Sequence, residues 1–208
     1  MYHRISLCLC SILLFMCLVG WIGSWKQSIR TGNDAYWKQE YDAAVNAYQT
    51  AVSEKPENPI TYHNLGTAYY KIGNFRKAST AFQTSLLKGD THNPADIYYN
   101  LGNAQFQLRD YTAAIMSYED ALDLNPHDSD AKHNLALARQ LLKQQLNMTQ
   151  QQQKESGEKT EEAENDPTNL SKAETEQLLE LLTKNENQRR QKILKQKLDS
   201  GYRRDKDW

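Results

Sequence analysis

Side chains able to make or break bonds are sparse in this chain, and their spacing argues against a reaction centre. Five histidines, His3, His63, His92, His127 and His133, show no spacing that would let them share a metal. Cys8, Cys10 and Cys17 all fall in an uncharged N-terminal run, where cysteine behaves as a small hydrophobe, and no other cysteine is present. No disulfide framework is therefore available to the rest of the chain. There is no glycine-rich phosphate loop and no nucleophile elbow, and the acids of the central region fall on solvated helix faces. What recurs is amides and rings. Asn64, Asn100 and Asn134 lie 36 and 34 residues apart. A carboxamide both donates to and accepts from a peptide backbone, and aromatic rings add contact area at low entropic cost. The expected chemistry is recognition, with no catalytic residue, metal or cofactor.

The elements that position these residues are read from a repeat. Gly32, Gly66 and Gly102 lie 34 and 36 residues apart, as do Ala44, Ala78 and Ala114, and Tyr48, Phe82 and Tyr118. Leu65, Leu101 and Leu135 extend the register with steps of 36 and 34. This period, with a small residue, an alanine and an aromatic at fixed offsets, is the signature of the tetratricopeptide repeat (TPR), a stacked helix–turn–helix unit. Units begin near Trp25, Pro59 and Ala95. The third is the most regular, with Tyr98, Leu101, Gly102, Ala114, Tyr118, Ala121 and Pro126. The second departs at Ser85, where an alanine is usual, and carries two extra residues in Lys88–Asn93. The first lacks the opening aromatic–leucine pair. Glycine and alanine let the helices of a unit approach, the aromatics are expected to fill the gap to the next unit, and proline ends one unit and starts the next. Ser129–Gln145 reads as a capping helix, with Ala131, Leu135, Ala138 and Leu142 toward the array and Lys132, Arg139 and Lys143 toward water. The fold class is an all-α solenoid of three helix pairs plus this cap, spanning 25–146.

In TPR proteins the first helix of each pair lines a concave face. On this register the candidate partner-binding residues are Asn33, Tyr36, Trp37, His63, Asn64, Thr67, Tyr70, Lys71, Tyr99, Asn100, Asn103, Phe106, His133 and Asn134. Two readings of the recurring asparagines stand open: contacts to a ligand, or bonds between neighbouring helices. Tyr62, Tyr69, Tyr98 and Tyr118 read as core. One TPR mode clamps a chaperone's C-terminal carboxylate with several lysines and arginines. Lys71 is the one basic candidate in the central groove, so that mode is not expected here.

Ile5–Gly23 is an uncharged run of 19 residues, about 28 Å as a helix at 1.5 Å per residue, long enough to span a hydrocarbon core. A cleaved signal peptide is the rival. Gly20, Gly23 and Ser24 as the last residue before the cut would place Leu18, Trp21 or Ile22 where a small side chain is required, so residues 1–24 are expected to be an uncleaved anchor. Trp21 and Trp25 suit its interface. Arg4 on one flank faces Lys26, Arg30 and Lys38 on the other, a bias toward a cytoplasmic array, whereas segments of this shape usually act as export signals.

Lysine plus arginine (25) nearly balance aspartate plus glutamate (26), so no overall field points to nucleic acid. The balance is uneven along the chain. Glu155–Glu186 holds ten acids and three bases, whereas Asn187–Trp208 holds eight bases and three acids. Residues 147–170, rich in Gln, Glu, Lys and Asn, cannot bury a core and read as a disordered linker. Residues 171–208 read as a helix opened by a Ser171-Lys172-Ala173-Glu174 capping box, with a strip of Leu178, Leu179, Leu181 and Leu182 and a basic tail. Such a strip suits a partner.

Taken together, Tyr98-Tyr99-Asn100-Leu101-Gly102-Asn103, Tyr118-Glu119-Asp120-Ala121-Leu122, Asn125-Pro126, Asp130-Ala131-Lys132-His133-Asn134-Leu135 and the closing Lys206-Asp207-Trp208 resemble the bacterial aerotolerance-operon (Bat-type) TPR proteins. The resemblance implies a single-pass scaffold of the bacterial cytoplasmic membrane with an extracytoplasmic array. It also implies that the scaffold works with von Willebrand factor A-type membrane proteins and a MoxR-type ATPase. The alternative is a general TPR adaptor for envelope assembly or secretion.

Overall fold

The computed structural model describes residues 24–155 apart from Asp90 and His92, together with Gln177 and Lys184. The expected anchor at Ile5–Gly23, most of the expected linker and the C-terminal helix lie outside the described residues. Among the described residues, no helix is long and apolar enough to cross a membrane. The chain divides into two compact units, Met1–Arg139 and Gln140–Trp208.

Between residues 24 and 155 the helices are α1 at 24–37, α2 Tyr41–Glu54, α3 Pro59–Lys71, α4 Phe75–Lys88, α5 Pro94–Gln107, α6 Tyr111–Leu124 and α7 Ser129–Glu155. They alternate in direction, and α2–α3, α3–α4, α4–α5 and α5–α6 pack in sequence. Their boundaries follow from local chemistry. Pro59 and Pro94 sit in the first turns of α3 and α5, where a missing N–H costs nothing. Asn58 accepts from Ile60 N at 2.9 Å, Asp110 from Ala113 N at 3.1 Å, and Asp128 from Asp130 N and Ala131 N at 2.9 Å each.

Each pair closes through the same three-residue turn. The carbonyl of the third-to-last helical residue accepts across it from five residues on, in Glu40 N→Ala35 O, Asn74 N→Tyr69 O and Asp110 N→Gln105 O at 2.9–3.0 Å. That geometry needs one left-handed residue, supplied by Gln39 (φ 62°), Gly73 (φ 76°) and Arg109 (φ 61°). An aromatic pair covers every turn edge-on: Tyr36–Tyr41 at 5.3 Å, Tyr70–Phe75 at 5.2 Å and Phe106–Tyr111 at 5.5 Å between centroids.

Ala44, Ala68, Ala78, Ala104, Ala114 and Ala131 are wholly buried, so backbones approach closely along the array. The expectation that the aromatics bridge to the next unit needs correction. Tyr48, Phe82 and Tyr118 pack against the glycine of their own unit. A Cβ at Gly32, Gly66 or Gly102 would stand 2.5–2.7 Å from a ring carbon. The missing side chain is thus the space that the ring fills. Tyr69 and Tyr118 are core as expected, whereas Tyr62 and Tyr98 are half-buried.

Two polar positions tie helices together. Ser85, wholly buried, donates to Pro59 O at 2.8 Å, tying the end of α4 to the start of α3. Arg139, expected in water, instead donates to Glu119 at 2.7 Å; the carboxylate is 5% exposed. A carboxylate buried on α6 requires a cation, and Arg139 is the residue that α7 brings to it. In the second unit, Leu142 and Leu146 are buried and α7 continues to Glu155. Residues 147–155, assigned from sequence to the linker, are helical. Gln, Lys and Glu cannot form a core, yet they extend a helix readily.

Candidate functional site

The candidate residues fall in a row along α1, α3, α5 and the start of α7. Asn33, Tyr36, His63, Asn64, Thr67, Tyr70, Tyr99, Asn100, Asn103, Phe106 and Asn134 are half-buried, while Trp37, Lys71 and His133 are exposed. Half-burial suits recognition: such side chains are held by the array and still reach solvent.

Hydrogen bonds organise the row into couples. Asn64 Nδ2 donates to Asn33 Oδ1 at 3.3 Å, and Tyr48 OH donates to the same oxygen at 2.8 Å. Two units on, Asn134 Nδ2 donates to Asn103 Oδ1 at 2.9 Å, which also accepts from Tyr118 OH at 2.8 Å. Each shared oxygen thus takes two donors, and Asn134 Nδ2 also donates to Tyr99 OH at 3.3 Å. The asparagines therefore bond neighbouring helices, one of the two readings left open by the sequence.

The joint between the second and third units is built otherwise. Register puts Thr67 where the flanking units have Asn33 and Asn103, and Phe82 where they have tyrosine. Thr67 Oγ1 turns back to His63 O at 3.0 Å, and Asn100 Nδ2 meets His63 Nε2 at 3.4 Å. The His63 ring leans on Phe82 at 5.9 Å. Burial lowers the His63 pKa below the ordinary imidazole value, with Asp96 pulling weakly the other way. A neutral ring can accept from Asn100.

The tyrosines under the row do not ionise near neutrality. Burial, then Tyr36, pushes Tyr48 up to about 12. Burial, then Tyr99 and Tyr70, raises Tyr118 still further. Both hydroxyls act as permanent donors. Among the described residues, no group of three His, Cys, Asp or Glu side chains is placed to hold a metal.

Sequence reasoning put Tyr36, Tyr70 and Phe106 in the groove, and the structure ties them to Tyr41, Phe75 and Tyr111 across the turns. The partners were overlooked although they recur at 34 and 36 residues, because they open the second helix, outside the positions assigned to the concave face.

Comparison with known proteins bears on this geometry. Tetratricopeptide-repeat family profiles match residues 32–73, 60–87 and 95–128. RNA polymerase II-associated protein 3 of Mus musculus is 28% identical over 111 residues, 53% of this chain and 16% of that protein. Serine/threonine-protein phosphatase 5 of Homo sapiens is 28% identical over 119 residues, 54% of this chain and 22% of its own length. The chain thus spans less than a quarter of either relative. Among solved structures, the first TPR of Spaghetti bound to the HSP90 peptide SRMEEVD superposes with a TM-score of 0.54 at 24% identity. That match covers 57% of this chain and 93% of that one and establishes the fold. Residues 32–87 and 95–128 of this chain are therefore tetratricopeptide repeats.

Proposed function

We propose that the array is a non-catalytic docking scaffold that takes a segment of a partner protein along the α1, α3 and α5 row. The observation that supports this reading is the row of half-buried asparagines and aromatic rings on successive first helices, tied to one another between units and still open to solvent. The Spaghetti peptide ends Glu-Glu-Val-Asp and is acidic. Here Lys71 is the one lysine or arginine among the candidates, and Asp96 stands exposed beside His63. Charge thus disfavours an acidic tail and favours a neutral or basic segment.

The finer reading is a Bat-type scaffold, held in the bacterial cytoplasmic membrane by Ile5–Gly23 with its array outside the cytoplasm. Its partners would be von Willebrand factor A-type membrane proteins and a MoxR-type ATPase system. Its support is the 19-residue uncharged run, the third-unit motif and the Lys206-Asp207-Trp208 ending. The test is capture from detergent-solubilised membranes by full-length protein, compared with an Asn64→Ala/Asn134→Ala variant whose melting is checked in parallel. Retrieval of a von Willebrand factor A-type protein by the parent and its loss in the folded variant supports the Bat reading. A different envelope protein lost in the same way supports the general adaptor. Equal capture by both removes the row from the function.

A further inference from the structure

The geometry points to one end of the array, carrying Trp25, Ile60 and Leu87, as a surface that rests on the headgroup layer of a bilayer. The inference builds on the anchor reading of Ile5–Gly23. Because the helices alternate in direction, the starts of α1, α3 and α5 share one end of the array with the finishes of α2, α4 and α6. Described α1 begins at Ser24, the residue after the uncharged run. The run therefore reaches the array at this end. A bilayer that holds it lies beside the 55–58 connection and away from the turns at 38–40, 72–74 and 108–110.

The side chains at this end suit that position. Leu87 is 86% exposed and Ile60 41%. The half-buried Trp25 ring has Lys55 Nζ 4.2 Å and Lys26 Nζ 5.5 Å from its centroid. An indole flanked by ammonium groups matches the headgroup layer, where ring and stems sit among upper acyl carbons and cations meet phosphate. Charge is also graded across this end. Lys26, Arg30 and Lys55 stand on the first unit, outnumbering Glu54 and Glu57 there, and Lys88 stands on the second, paired with Glu57, whereas Asp123, Asp128 and Asp130 stand near the α6–α7 connection. Anionic headgroups attract the first group and repel the second, so the first two units lie against the membrane and the third stands off in water. The opposite end exposes apolar side chains too, at Trp37, Ile72 and Leu108. Composition alone would not choose between the ends; the entry point of the run does.

The test uses full-length protein with Cys8, Cys10 and Cys17 replaced by alanine and one cysteine introduced as Ile60→Cys, Leu87→Cys or Leu108→Cys. Each is labelled with bimane and reconstituted into vesicles of phosphatidylcholine and phosphatidylglycerol. Iodide quenching is expected to fall several-fold at 60 and 87 relative to the same protein in detergent micelles, and to stay unchanged at 108. Equal quenching at all three positions, or protection at 108, overturns the inference. Carbonate washing of the same vesicles separates the two layers of the argument. Protein that washes off removes the anchor reading and this inference with it. Protein that stays while both labels remain open to iodide removes this inference alone.

Discussion

Replacing Gly102 by alanine sets two effects of known size against each other. Alanine is favoured over glycine inside a helix by about 1 kcal/mol, so on α5 alone the change would stabilise. In the array the new Cβ would stand 2.7 Å from Cδ1 and Cε1 of Tyr118, a ring with no exposed surface. Ordinary contact would require the ring to retreat by about 1 Å into packed neighbours, and overpacking of that kind costs roughly 1–3 kcal/mol. The retreat also strains the 2.8 Å bond from Tyr118 OH to Asn103, a bond contributing about 1 kcal/mol. The balance is a net loss of about 1–3 kcal/mol. Gly66→Ala is the internal comparison: its clash with Phe82 is the same 2.7 Å, but that ring has no hydroxyl bond to lose. Urea unfolding of residues 24–155, followed by far-ultraviolet circular dichroism, should rank parent above Gly66→Ala above Gly102→Ala. A Gly102→Ala protein as stable as the parent, or more so, would show that the ring does not rest on the glycine.

Three further outcomes are expected. Gln39→Gly and Arg109→Gly relieve left-handed residues that bear a side chain (φ 62° and 61°), so each should raise the urea midpoint by an amount equivalent to roughly 1 kcal/mol, whereas Gly73→Ala at φ 76° should lower it similarly. Ser85→Ala introduces the residue usual in the repeat yet should cost about 1 kcal/mol in the same assay, because it removes the buried bond to Pro59 O. Stability should fall at both extremes of pH. Folding lowers the His63 pKa, so its contribution is present above the ordinary imidazole value of 6.5 and is lost as pH falls through the lowered one. Folding raises that of Tyr48 to about 12, so its contribution is present below 10 and is lost as pH rises from 10 to 12. Thermal melts of the parent against His63→Gln, whose acid limb should flatten, and Tyr48→Phe, whose alkaline limb should flatten, check both signs.

The fold was legible because a solenoid prints its period in the chain. The unit starts near Trp25, Pro59 and Ala95, the extra residues before Pro94 and the cap from Ser129 all follow from glycine, alanine and proline spacing. Direction within a unit was not legible. An aromatic at a fixed offset fits either its own glycine or the next unit, and only coordinates choose. Arg139 misled because an exposed-looking position on an amphipathic wheel gives no sign of a buried acid on another helix. The end of α7 misled because polarity limits burial, not helicity. For the candidate row, register placed the asparagines on the correct helices, but their pairing depends on which oxygen each amide meets, a detail that spacing does not encode.

The exchange of the Asn–Tyr pair for Thr67 and Phe82 in the middle unit has a consequence for how this sequence can change. In the outer units, altering only one partner strands the other: an amide facing a bare ring, or a hydroxyl facing a methyl group. Each single step lowers fitness for folding, while the double step restores a satisfied joint, so the two positions are epistatic and travel together. Installing Thr67→Asn and Phe82→Tyr jointly should therefore give a coupling energy of opposite sign to the two single effects, and the middle unit would then be interchangeable with its neighbours at that joint.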